Sequence, residues 1–147
     1  MGSMMTGLYD HDFYCWTQEQ SALLRAGNLS VADIEHIAEE IESLGRGEQR
    51  QLEDRLIALL LHLLKWQLQP NFQGNSWRLS IKEQRVKIAR HLRKNPSLKA
   101  LLDETIADAY GDALIGAERE TGLPEQTFPA SCPWTFAQMM DDGFWPD

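Results

Sequence analysis

The sequence predicts an all-α fold, a single helical bundle of about five main helices and a short sixth, with the third helix central. Three observations predict it. Apolar residues recur at three- and four-residue spacing along nearly the whole chain, and no segment sustains the alternation of a half-buried strand. Gly27, Gly45, Pro70, Asn95-Pro96 and Gly122 interrupt that period at intervals suited to helices. At 147 residues the chain has the length of one domain, large enough to bury a core without metal or disulfide staples.

The first helix is expected from about Asp12 to Ala26, with Phe13, Trp16, Gln20 and Leu23/Leu24 on one stripe and Gly27 closing the last turn. Ser30 is placed to cap the second, whose buried face reads Ile34, Ile37, Ala38, Ile41 and Leu44 before Gly45 ends it. Its other face is acidic, with Glu35, Glu39, Glu40 and Glu42. Gly45-Arg46-Gly47 reads as a loop between helices, with no strand before it to make a dinucleotide fingerprint.

The third helix, from near Gly47 to Gln69, is apolar almost all round between residues 56 and 64 apart from His62, which suits the middle of a bundle. A fourth helix, capped by Asn75 or Ser76, runs to about Lys94 with a buried stripe of Trp77, Ile81, Gln84, Ile88 and Leu92. Asn95-Pro96 opens a fifth that reaches Thr121 and carries a small-residue side, Ala109, Ala113, Gly116 and Ala117. The Pro-rich tail from about Leu123 has one short helix between Trp134 and Asp141, and its aromatic end should pack back on the bundle. Met1 to Ser3 read as an expression scar, leaving residues 4–147 as the single domain.

The tracts Glu39-Glu40-Ile41-Glu42-Ser43-Leu44-Gly45, LLLHLLKW from Leu59 to Trp66, Gln69-Pro70, Ser76-Trp77-Arg78 and Asn95-Pro96-Ser97-Leu98 stand in an order that resembles the bacterial domain of unknown function 29 family. The likeness extends from Tyr9, Asp10, Asp12, Phe13 and Trp16 to Thr121-Gly122-Leu123-Pro124 and Phe144-Trp145-Pro146. The resemblance implies an all-helical bacterial protein. It implies no activity and no catalytic residues.

The formal charge of -8 argues against a general nucleic-acid binder, because phosphate contacts need a surplus of cations. No apolar run is long enough to cross a bilayer, so no membrane association is expected. Cys15 and Cys132 stand at opposite ends of the chain with no CxxC spacing, which suits a reducing, cytoplasmic compartment.

On the third helix Glu48, Arg55, His62 and Gln69 recur every seven residues, so they form one polar seam with Gln51 and Lys65 beside it. His62 reads first as a structural histidine bonded to a neighbouring helix, with Gln84 an available partner, and second as part of a buried pocket. Arg55 with His62, and Arg85 with His91, also resemble the arginine–histidine spacing of the helical HEPN ribonucleases. There an imidazole can move a proton while a guanidinium holds a phosphate oxygen. Leu56 and Val86 depart from that signature, which has a polar residue after the arginine. These four residues are conditional catalytic candidates for a metal-independent ribonuclease or toxin–antitoxin component.

Asp33, His36 and Glu40 could share one helix face toward a metal, but a solvated face is the simpler reading. No Glu-x-x-His pair of the di-iron bundles exists. No cofactor or metal is expected.

Charge is uneven: residues 77–94 carry seven cations against Glu83, a net +6, whereas residues 31–54 carry eight acids against Arg46 and Arg50, a net -6. Opposed faces favour pairing within or between chains, or an acidic protein partner, over nucleic acid. With no convergent catalytic set, the leading expectation is a non-enzymatic module that binds a protein partner or itself.

Overall fold

The computed structural model describes residues 2–147; Met1, the first residue of the expected scar, lies outside them. Every regular element among the described residues is helical. Where the sequence suggests one domain, the backbone groups into two compact units, residues 1–47 and 48–147.

The first unit holds α1 (Gly2–His11), α2 (Phe13–Arg25) and the start of α3 (Ile34–Leu68). The sequence reading did not anticipate α1. Asp12 separates α1 from α2 and caps the latter, its carboxylate accepting from the Cys15 backbone N–H at 3.0 Å. Gly27 closes the α2 end at φ 72°, a left-handed conformation that glycine adopts without a Cβ clash.

Ser30 does not cap α3, because its hydroxyl donates to the Asn28 side chain at 3.2 Å. The helix begins beside Asp33, a charged acceptor better matched to a positive helix start than a hydroxyl.

Two expectations fail along α3. The helix runs unbroken through Gly45-Arg46-Gly47, because neither glycine takes a positive φ. Glycine permits a break without enforcing one, at a cost of about 1 kcal/mol each relative to alanine inside a helix. The expected buried face is also largely uncovered: Ile34, Ile41 at 63% exposure and Leu44 at 72% all face solvent. Apolar period identifies a face without showing that anything covers it.

In the second unit, α3 is the central helix. Leu52, Leu56, Leu59, Leu60, Leu63 and Leu64 are fully buried, and their spacing spans one broad face. Around them pack α4 (Asn75–Lys94), through Ile81, Ile88 and Leu92, and α5 (Leu102–Thr121), through Ala109, Tyr110, Ala113 and Ala117. Small residues let α5 come close: a Cβ placed on Gly116 would lie 3.5 Å from a Leu61 methyl.

The expected fifth helix starts late, since Pro96–Leu101 is a 3₁₀ segment and α5 begins at Leu102. Its end is as expected, with Gly122 at φ 73°.

The tail returns to the core. Phe128, Trp134 and Met139 are buried, and Trp66 and Trp145 meet with ring centroids 4.7 Å apart. The tail helix α6 (Phe136–Met140) starts at a capping box made by Thr135 and Gln138. No helix among the described residues is long and apolar enough to cross a membrane.

Candidate functional site

Two of the four arginine and histidine candidates meet across the α3–α4 pair of the second unit. Glu48, Gln51 and Arg55 of α3 face Lys87, Arg90, His91 and Lys94 of α4 across a groove of about 200 Å³. Arg55 and His91 thus share a site, although the sequence spacing had assigned them to different pairs. His91 is 7% exposed, and its Nε2–H donates to the Glu48 carbonyl at 2.8 Å, with the Glu48 carboxylate 3.5 Å from the same nitrogen.

The groove is electrostatically uneven. Lys87 pairs with Glu83 of its own helix at 2.6 Å, while Arg55, Arg90 and Lys94 form no ion pair among the described residues. Arg55 Nε is shut off from solvent and has no acceptor. Among the acids of residues 48–54, Glu48 alone of the described residues meets this basic surface in an ion pair, through His91.

His62 and Arg85 have other partners. His62 is half-buried, and its Nδ1–H donates to the Ala58 carbonyl one turn earlier at 2.8 Å, so its bond stays within α3. Gln84, expected to bond His62, instead has its Oε1 buried without a partner.

Arg85 is 3% exposed and grips the tail: Nε donates to the Met139 carbonyl and an Nη to the Phe144 carbonyl, both at 2.7 Å. The guanidinium lies over Trp145, 5.3 Å from the ring centroid. Burial pulls its pKa below the ordinary arginine value, against the opposing pull of Asp142 and Asp141. Arg85 and His91 therefore use different sides of α4.

The first unit contains a polar cluster at Asp33, His36 and Glu40, which the sequence suggests as a solvated face before a metal face; all three are half-buried. His36 Nδ1 lies 2.7 Å from the Asp33 carboxylate, which also accepts from the Trp16 indole at 3.1 Å. Tyr9 stacks on His36 at 3.9 Å between centroids and donates to Glu40 at 2.5 Å. Both carboxylates are therefore engaged by neighbours, and no cluster of three metal-ligating residues occurs among the described residues.

The hydrogen bond to Asp33 raises the His36 pKa against desolvation. Burial acts to raise Asp33, but its bonds from His36 and Trp16 outweigh that and hold it below the ordinary carboxylate value. The Glu40 bond, first, and desolvation push the Tyr9 phenol up to about 12. The signal for the aromatic part was the four- and three-residue spacing of Tyr9, Phe13 and Trp16.

A larger, mainly apolar cavity of about 660 Å³ lies between α5 and the tail, lined in part by Tyr110, Cys132, Trp134 and Phe136. Two of its polar groups, Tyr110 and Cys132, are bonded to backbone carbonyls. The Tyr110 hydroxyl donates to the Pro129 carbonyl at 2.6 Å, and burial raises both its pKa, to about 12, and that of the Cys132 thiol.

Among protein-family models, the one described as "Domain of unknown function DUF29" matches residues 8–145. Comparison with curated proteins and with solved structures returns no match.

Proposed function

Since the chain belongs to the DUF29 family, whose description carries no activity, we propose from its own surfaces that it is a non-enzymatic helical module acting by self-association. One observation carries the reading: Ile34, Ile41 and Leu44, helix positions patterned for burial, stand exposed beside Glu35, Glu39 and Glu42. A partner helix suited to that surface offers apolar residues among cations. Helix α4 has that composition, with Leu79 and Val86 exposed among Lys82 and Arg93. A second copy of the chain is therefore the partner of first choice, held by apolar burial and oriented by charge. The free thiols of Cys15 and Cys132 support a reducing, cytoplasmic setting.

Sedimentation across a wide concentration range tests this reading. We expect a reversible oligomer that weakens with added salt and dissociates when Ile41→Lys and Leu44→Lys are combined. A chain that remains monomeric at high concentration, and recovers no partner from cells, would remove the support.

The second reading, metal-independent RNA cleavage, is favoured by the meeting of Arg55 and His91 in one groove. It requires an imidazole nitrogen free to move a proton. His91 Nε2 is already committed to Glu48, which leaves Nδ1 for that role. Labelled RNA left intact by the purified protein, or cleavage unchanged in His91→Ala and His62→Ala, would sink this reading.

A further inference from the structure

The groove between α3 and α4 has a feature that neither self-association nor helix packing uses. Arg55, Arg90 and Lys94 converge on a small concavity without a carboxylate counterpart in any ion pair, and Arg55 Nε points a sheltered N–H at no acceptor. Cations held together repel one another, so a surface that gathers them gains most when an anion sits among them.

We propose that this groove binds the phosphoryl group of a small phosphomonoester. Arg55 supplies the forked pair of donors, through Nε and Nη, while Arg90 and Lys94 balance the second negative charge. A lone carboxylate would leave much of that positive charge unanswered. The volume of about 200 Å³ falls below the range of about 300–1,000 Å³ typical of sites that enclose drug-sized ligands, so the phosphoryl end is held and the remainder stays outside. Glu48 is the acid that lines the groove, and Glu83, paired with Lys87, lies close enough for its charge to be felt by Arg55. The Glu48 carboxylate lies 3.5 Å from His91 and 3.4 Å from the Asn95 amide, so part of its charge is engaged at the rim. The apolar and cationic face of α4 assigned to self-association, Leu79, Val86 and Arg93, is not part of the groove lining.

The test is titration of the full chain with glycerol phosphate, inorganic phosphate and acetate, read by calorimetry and by the NMR resonance of the Arg55 Nε–H. Glycerol phosphate is expected to bind saturably and shift that resonance, and acetate to do neither. Arg55→Gln should weaken binding by at least about tenfold, the order expected for losing a charge-assisted pair. Arg119→Gln, on α5 and outside the groove, should leave it unchanged, and circular dichroism confirms that each variant is folded. Absence of heat and of a shift overturns the proposal, as does binding unaltered in folded Arg55→Gln. Binding of inorganic phosphate alone overturns the ester, and tighter binding of a short RNA lacking terminal phosphates overturns the small-molecule assignment. Failure of self-association would leave each of these outcomes readable, because the titration follows the groove directly.

Discussion

The Arg85 guanidinium donates to the Met139 carbonyl at 2.7 Å from a position 54 residues earlier in the chain. With its second bond to Phe144 and its stack on Trp145, this one side chain ties α4 to the tail. Charged hydrogen bonds are worth about 1.5–3 kcal/mol each, and their loss here would also leave carbonyls without partners. We expect Arg85→Leu to lower unfolding stability by about 2–4 kcal/mol. Arg85→Lys should recover only a small part of it, because an ammonium cannot reproduce the planar fork. Urea melts followed by tryptophan fluorescence measure both, and a full rescue by lysine would refute this account.

Gly45 and Gly47 lie inside α3, and a Cβ built on either meets nothing within 4 Å. Each alanine substitution should therefore stabilise the helix, by about 0.5–1 kcal/mol, through reduced freedom of the unfolded chain. Thermal melts followed by circular dichroism provide the check. A loss of stability in both single variants would mean that the segment needs the freedom of glycine.

These glycines show which local signals were sufficient and which were not. Gly27 and Gly122 end helices at positive φ, as their positions suggested, whereas Gly45 stays helical. Composition alone does not distinguish the cases, because all are permissive residues after an apolar period. Core leucines of α3 were legible, since their spacing and their burial are both dense. The exposure of Ile34, Ile41 and Leu44 was not, because a helical period carries no record of its neighbour.

The groove was legible in parts only. Arg55 and His91 stood out as polar chemistry on their own helices, but their meeting depends on how α3 and α4 pack. Likewise, Arg85 looked like one member of a basic stripe until the tail closed over it.

Gln84 lies on α4 with its Oε1 buried and unpartnered, whereas the bond expected from His62 goes to Ala58. An orphaned buried polar atom costs about 1–3 kcal/mol, so an apolar side chain of similar length should fit better. We expect Gln84→Met to be neutral or to stabilise by up to about 1 kcal/mol, measured in denaturant melts. A loss of more than about 1 kcal/mol would show that the amide is satisfied in solution, by water or by a side-chain rearrangement.

The Asp33–His36 contact at 2.7 Å gives the first unit a pH dependence with two limits. His36 has a pKa raised above its ordinary 6.5, so its contribution is full below that value and is lost as pH rises through the raised one. Asp33 has a pKa lowered from 3.8, so its contribution is full above that value and is lost as pH falls through the lowered one. Both contributions are complete between 3.8 and 6.5, and the order of this unit should decline as pH rises beyond that window. NMR titration of the His36 ring reads the shift directly. In Asp33→Asn we expect the imidazole to titrate at a lower pH than in the native chain and the alkaline decline in local order to flatten. An unchanged His36 titration in that variant would remove Asp33 as its cause and leave the aromatic contacts with Tyr9 and Trp16 at the ring.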